Sequence, residues 1–399
     1  MIRLALLIAL LAPMLARADA PPPKPEGALR IAQFNASLTR NGPGVLLGDI
    51  EKRAPQVLAV AEIILRTRPD LLLLNELDRD AEGRALAAFA ALLEEGVAGL
   101  PGLVYPHRLQ PRSNTGEPSG LDLDGDGETH GPGDSWGFGT FPGQFAMAVL
   151  SRLPLDAEDL RSYRLFAWSA MPDADRPRLP EAEGGAPFHP DSVWKIMRLS
   201  SKSHWDLPVL LPGGGRLHLL AAHPTPPVFD GPEDRNGRRN ADEIRLLTAM
   251  LDGPAWLRDD AGRPAGLAPD LPFVLAGDLN ADPVDGAARR RGIAGLLAHP
   301  RLQDPAPASS GGAEAALRDG GANAAHLGPP ATDTADWRDS PPMPGNLRVD
   351  YVLPSRDLTV LGAGVFWPAE ADPLAPLVRP GRRPASSDHR LVWVDIARP

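Results

Sequence analysis

The residues able to do chemistry in this 399-residue chain are carboxylates, amides and imidazoles, and they fall at the ends of apolar runs. Asn35 follows LRIAQF, Glu76 follows LLLLN, His223 follows LHLLAA, and Asp278 with Asn280 follows FVLAG. Asp388 and His389 stand just before the last apolar run, and Asp350 lies inside VDYVL, where a carboxylate must face a polar cavity or be paired. There is no cysteine, so thiolate zinc sites, disulfides and cysteine nucleophiles are excluded together. Hard oxygen ligands without thiolates suit Mg²⁺, Mn²⁺ or Ca²⁺. A divalent ion on a phosphate oxygen, with imidazoles beside the phosphorus, would stabilise developing charge while water attacks in line. That chemistry is phosphate-ester hydrolysis.

These residues need elements to hold them. Apolar runs at Leu29, Leu71 to Leu74, Phe145, Lys195, Arg216, Phe273, Val349 and Arg390 read as strands. Helical spacing covers Gln56 to Arg66, Gly83 to Glu94 and Asn240 to Leu251, the last with Ile244, Leu247 and Leu251 on one face. The pattern predicts one α/β domain over 29–397, interrupted by long loops at 110–143 and 304–346. In such sheets, sites assemble where strand ends converge.

Composition narrows the partners. The 40 glycines and 46 prolines show no Gly-X-Y period, so collagen is excluded, and a formal net charge of -10 argues against a broad basic face for nucleic acid. Arg3 precedes the apolar run LALLIALLAPML, which ends in small residues around Ala18, Asp19 and Ala20. That order is a signal peptide's, predicting removal of 1–20, a Pro-rich linker at 21–28 and a secreted or periplasmic mature protein. No later run reaches the ~20 apolar residues of a membrane span, so no transmembrane anchor is expected in the mature chain. A monomer is the expected state.

The strings QFN, NELD, AHP, GDLNADP, RVDYVLPS and SSDHRLVWV, in that order, resemble the endonuclease/exonuclease/phosphatase superfamily over roughly Leu29 to Ile396. The resemblance implies a DNase I-like, four-layer α/β/β/α sandwich of two mixed sheets, with the site at one edge. It implies Glu76 as the principal metal carboxylate, Asn35 its neighbour, and Asp278, Asp350 and Asp388 as further candidates around Mg²⁺ or Mn²⁺. Asp278 would orient or deprotonate water, Asn280 would hold a phosphate oxygen, and His223 and His389 would be the catalytic histidines. Asp350 would sit near the metal or support a histidine, and Asp388 would orient the His389 ring. Taken singly, each has a plain alternative: Asn35 as a turn cap, Glu76 as a solvated strand end, Asp278 as an Asx turn. For the ordered set, every such alternative would have to hold at once.

Other motifs bear on function. DLDGDGE places Asp122, Asp124, Asp126 and Glu128 at alternate positions, as a Ca²⁺ loop requires, but position twelve is Gly133, where an EF-hand needs glutamate. A polar turn is its alternative. Trp136, Phe138 and Phe141 could wall a pocket, and Arg238 or Arg239 in RNGRRN could meet an anionic substrate, or merely open an exposed helix. GDSWG matches a serine-hydrolase elbow at Ser135, yet loop residues flank it on both sides. SSKSH could bring Lys202 and His204 near phosphate but reads more readily as a solvated hairpin end, and Arg348 as a partner for a carboxylate instead of substrate. The expectation is an exported, metal-dependent phosphodiesterase or phosphatase. A secreted nuclease for DNA or RNA, and an inactive calcium-stabilised binding protein, are the alternatives.

Overall fold

A computed structural model describes residues 21–381 and 384–398; the expected signal peptide, 1–20, lies outside them. In chain order the strands are β1 (Ala28–Leu38), β2 (Leu71–Leu77), β3 (His107–Leu109), β4 (Ala148–Ser151), β5 (Arg161–Ser162), β6 (His204–Leu210), β7 (Arg216–Ala222), β8 (Phe273–Asp278), β9 (Ala335–Asp336), β10 (Asn346–Leu347), β11 (Asp350–Pro354), β12 (Val360–Val365) and β13 (Val392–Ala397). The helices are α1 (Val45–Glu51), α2 (Pro55–Thr67), α3 (Arg84–Glu95), α4 (Asp191–Trp194), α5 (Arg235–Asp252), α6 (Arg290–Leu297) and α7 (Ser310–Asp319).

Two mixed sheets form, in the orders β12-β13-β1-β2-β4-β3 and β11-β8-β7-β6-β5. Each is antiparallel except for one parallel pair, β1 with β2 and β7 with β8. One buried cluster joins both sheets and α1 to α3, taking Trp205, Leu207 and Val209 of β6 with Val274 and Ala276 of β8. A second lies behind the other sheet, where Leu220, Phe273, Leu275, Tyr351 and Leu353 meet α5 and α6. Period-two alternation therefore sorts each strand's side chains between an inter-sheet core and a helix-covered face. The result is the expected four-layer sandwich.

The predicted face of α5 is buried as expected, with Ile244 and Leu247 fully covered and Leu251 nearly so. Each such side chain contributes roughly 1.5–3 kcal/mol. α5 starts a turn and more earlier than its apolar period, because Asn236 N–H donates to Asp230 Oδ2 at 2.6 Å and polar RNGRRN is drawn into the helix.

Three expectations change. KIMRL at Lys195 is not a strand: Ile196 is exposed while Met197 and Leu199 are buried, an alternation cut short by the turn after α4. SSKSH is not solvated, since residues 200 to 204 are all buried and His204 opens β6. The segment 304–346 is not simply a loop. It carries α7, whose first turn is capped by Ser309 accepting from Gly312 N at 3.1 Å, and the two-stranded β9-β10 ribbon. Its helix is rich in Gly and Ala, which pack closely without an apolar period; a Cβ on Gly311 would lie 2.6 Å from Trp367 Cδ1. By contrast 110–143 has neither helix nor strand and is stitched by isolated pairings such as Thr115 with Gly137. The Pro-rich start is docked, with Pro22 accepting from Arg30 at 2.9 Å and Lys24 paired with Asp70.

Candidate active site

The site is built where the two parallel pairs end. On β8 and β7 the inward series 274, 276 and 217, 219, 221 continues to Asp278 and His223, so the apolar inter-sheet face ends in two polar groups. Asp350 enters from the antiparallel neighbour, directly opposite Asp278 in register. β1 contributes Gln33 and Asn35 on one face; Gln33 crosses the sandwich to donate to Asp350 Oδ1 at 2.9 Å and to Asn75 Oδ1 at 2.9 Å. A Cβ on Gly277 would lie 2.1 Å from the Ala222 carbonyl oxygen, so GDLN needs glycine there for β7 and β8 to approach.

Backbone strain aims the remaining groups. Asn75 and Glu76 are adjacent in β2 yet both address β1, which a regular strand forbids; Glu76 at φ 59° breaks the alternation. Ser37 at φ 50° accompanies the register shift in β1 just beyond Asn35. Asn280 at φ 51° turns the chain so that its own N–H donates to Asp278 Oδ1 at 2.9 Å.

At the centre, Asn35 Nδ2 donates to Asp278 Oδ2 at 2.9 Å and to Glu76 Oε1 at 3.2 Å. His223 Nε2 lies 3.3 Å, and His389 Nε2 3.8 Å, from the same Asp278 oxygen. His389 Nδ1 donates to Asp350 Oδ2 at 2.9 Å. Its loop is tied down by His389 N–H donating to Ser387 Oγ at 3.0 Å, while that hydroxyl donates to the Asn35 carbonyl at 2.7 Å. Asp350, not Asp388, therefore orients the His389 ring. Asp388 instead accepts from Trp337 Nε1 at 2.9 Å, and the Trp337 ring stands edge-on to His389 with centroids 5.4 Å apart.

Charge follows geometry. Burial alone would raise the Asp278 carboxyl, but His389 and His223 outweigh it and hold Asp278 well below the usual carboxylate range. Burial opposes charge on His389, yet Asp350 and Asp278 prevail and keep it well above the ordinary histidine range. Burial, then Lys202, pushes His223 down to about 4. Burial, then Asp388, pushes Glu76 up to about 7. A carboxyl so destabilised, with the charges of Asp388 and Asp278 close by, is part of a donor set a divalent cation would relieve, so the residues fit one. Asp278, Asp350 and His389 also each offer a ligand atom within 4.8 Å of one another.

A cleft of about 520 Å³ opens beside Glu76. Lys202, Arg235 and Arg239 line it together with Phe138, Phe145, Val228 and Phe229. Lys202 is the group the sequence understated: it is buried, and its ammonium feels the charges of Glu243, Glu76 and Asp278. Arg238 and Trp136 are not among the lining residues. Arg238 is bound to Asp175 Oδ1 at 2.5 Å, and Trp136 lies under the Arg198 guanidinium at 4.5 Å. Arg239 reaches the wall while donating to the carbonyls of Leu199, Trp136 and Arg198. Asn280 spends an amide hydrogen on the Pro224 carbonyl at 3.1 Å. Ser135 sits in the loop wall without a strand-helix elbow, and Arg348 is bidentate to Asp304 at 2.6 and 2.8 Å.

The model of the endonuclease/exonuclease/phosphatase family matches residues 32–389. The chain belongs to this family. Members of the endonuclease/exonuclease/phosphatase family are typically hydrolases of phosphate esters and generally depend on divalent metal. Similar solved structures include an endonuclease/exonuclease/phosphatase from Beutenbergia cavernae DSM 12333, 20% identical, covering 92% of this chain and 71% of that one with TM-score 0.49. The human Nocturnin catalytic domain with bound sulfate is 15% identical, covering 93% of each chain, with TM-score 0.44. The mannosyl-6-phosphatase Bt3783 of Bacteroides thetaiotaomicron VPI-5482 is 14% identical, covering 92% of this chain and 99% of that one, with TM-score 0.42. No curated protein sequence matches the chain. Among the described residues no helix is long and apolar enough to cross a membrane.

Two buried histidines set a measurable pH dependence. Burial pushes both His204 and His223 down to about 4, whereas the unfolded chain titrates near the ordinary histidine value of about 6.5. The unfolded state thus binds more protons between these values, and stability is lost as pH falls through that window, by up to a few kcal/mol. His204 lies outside the cleft lining, bound to Ser200 Oγ and the Glu243 carbonyl. The drop in urea midpoint between about pH 7 and about pH 5 is therefore expected to be shallower in His204→Gln than in the unaltered protein. Equal slopes would mean that the folded ring takes up a proton freely.

Proposed function

We propose that the protein is an exported, divalent-metal-dependent phosphoesterase, a phosphatase or phosphodiesterase that hydrolyses its ester by in-line attack of water. The observation that carries this reading is convergence: Asn35, Glu76, His223, Asp278, Asp350 and His389, drawn from separate strand ends, meet at one edge of the sandwich. Export rests on the leader-like first twenty residues alone.

Glu76 and Asn35, with Asp278 and Asp388 alongside, would hold Mg²⁺ or Mn²⁺, which supplies Lewis-acid polarisation of a phosphoryl oxygen. Asp278 is ionised and anchored by Asn35 and the Asn280 N–H, so one of its oxygens is placed to orient water and take its proton. His389, charged and locked by Asp350, holds Nε2 3.8 Å from Asp278 Oδ2, where it would meet the phosphoryl oxygens or the leaving group. Gln33 holds Asp350 and so fixes the ring at one remove. His223 stays neutral and serves as a hydrogen-bonding partner of Asp278. Lys202 and Arg235 supply cationic character to the cleft, while Phe138 and Phe229, both exposed there, offer an apolar wall. A small or exposed phosphoester with an apolar part suits such a cleft better than a long polyanion on a chain of net charge -10.

The test is a substrate panel of p-nitrophenyl phosphate, bis-p-nitrophenyl phosphate, DNA and RNA, with Mg²⁺ and with chelator. Turnover of a small ester, lost by about three orders of magnitude on chelation and restored by Mg²⁺, is expected. Degraded polymer with inert small esters would establish the nuclease alternative instead. Absence of turnover on every ester would leave a binding protein.

A further inference from the structure

Of the cations that line the cleft, Arg235 pairs with Glu233 and Arg239 donates to three carbonyls. Lys202 is not matched in this way. It is only 7% exposed and shares the cleft lining with Glu76. Among the described residues its ammonium forms no ion pair and a single long hydrogen bond, from Nζ to the Pro224 carbonyl at 3.4 Å. Three ammonium hydrogens thus share one weak acceptor, a state that burial strongly disfavours. The carboxylates whose charge it feels do not resolve this. Glu243 already accepts from Ser201 N–H at 2.6 Å, Ser201 Oγ at 2.9 Å and Thr225 N–H at 2.7 Å, and Arg239 is the cation that most favours its charge. Glu76 and Asp278 belong to the set that a divalent cation would take.

The surroundings hold this side chain in place. The Lys202 carbonyl accepts from Asn114 N–H at 2.9 Å, and Asn114 Nδ2 donates to the Ser200 carbonyl at 2.7 Å. From the other side Glu243 ties Ser201 to Thr225, the residue after Pro224, and so fixes the carbonyl on which the ammonium rests. That same Pro224 carbonyl accepts from Asn280 Nδ2 at 3.1 Å. One oxygen therefore gathers the Lys202 ammonium and an amide that has a second N–H to give, next in sequence to His223, whose Nε2 lies 3.3 Å from Asp278.

We infer that Lys202 is the phosphoryl anchor of the cleft: its ammonium takes a non-bridging oxygen of the substrate phosphate, beside Asn280 Nδ2. The inference rests on the phosphoesterase reading above and names a residue that grips the reacting group. A phosphate oxygen is the acceptor that fits, because it carries the charge the ammonium lacks and accepts from more than one donor. In the transition state charge is spread over the phosphoryl oxygens, and a cation already fixed by its own backbone stabilises it with little reorganisation. Lys202 gains and loses no proton in the step.

The experiment is calorimetric titration of inorganic phosphate into the full-length mature protein in MgCl₂, with hydrolysis of the ester panel measured on the same samples. The unaltered protein and Lys195→Met, which removes an exposed charge outside the cleft lining, are expected to bind phosphate with the same affinity. Lys202→Met, similar in shape but uncharged, is expected to bind it at least about tenfold more weakly and to lower kcat/KM at least about a hundredfold. Its melting temperature without phosphate should be no lower, since the charge it removes is unpaired. No phosphate uptake by the unaltered protein, or unweakened uptake and full activity in Lys202→Met, would overturn the inference; turnover of an ester in the unaltered protein would still uphold the phosphoesterase reading. Loss of the fold in both Lys202→Met and Lys202→Gln would also overturn it, by making the lysine a structural charge. Lys202-dependent phosphate uptake in a protein that turns over no ester would instead keep the anchor and sink the enzyme.

Discussion

Asp278→Asn is expected to lower kcat by about three to four orders of magnitude and to leave the melting temperature within a few degrees. The carboxylate accepts from Asn35 Nδ2 on one oxygen and from the Asn280 N–H on the other, and two imidazoles face it. An amide of the same shape keeps one accepting oxygen, so the packing of β8 against β11 is undisturbed. What disappears is the negative charge that, in the proposed mechanism, would take a proton from water, and that also sustains the imidazolium of His389. Steady-state kinetics with calorimetric melting separate the two effects. A variant that turns over at the normal rate would remove Asp278 from the chemistry, whatever its place in the fold.

His389→Ala is expected to lower kcat by about two to four orders of magnitude, and Asp350→Asn to reproduce much of that loss without touching the ring. The two are expected to be strongly non-additive, because Asp350 acts through His389: its Oδ2 takes the Nδ1 proton while Gln33 holds its Oδ1. The double variant should be little slower than His389→Ala alone. Losses that simply multiply would mean that Asp350 meets substrate or metal on its own account, and the pairing would then be structural. The same cycle drawn between Asp388 and His389 should show weaker coupling, since Asp388 is committed to the Trp337 indole.

Much of this site is legible from the chain because its residues interrupt apolar runs. Asn35, Glu76, His223 and Asp278 each follow a run of buried residues in or just past a strand, and a polar group in that place needs a reason. Asp350 is similarly marked by lying inside VDYVL. Lys202 was less visible because SSKSH has the composition of a solvated turn. Only the neighbouring Glu243, which accepts from Ser201 N–H at 2.6 Å and from Thr225 N–H at 2.7 Å, makes that turn a buried one. Arg238 and Trp136 are the opposite case, since a guanidinium or an indole is equally suited to substrate or to the partners found here, Asp175 and Arg198.

The division between sequence and tertiary structure follows from the range of the forces. Periodicity, turn residues and the placement of polar groups act over a few residues, so the chain by itself determined the strand positions of the two parallel pairs, the faces of the helices and the chemical kind of the site. Which carboxylate pairs with which imidazole depends on contacts between segments far apart in sequence: Asp350 with His389, Gln33 with Asp350, Asn35 with Asp278. Those pairings were decided only when two twisted sheets packed face to face, because a side chain at a strand end chooses its partner by the register and crossing of strands it cannot sense locally.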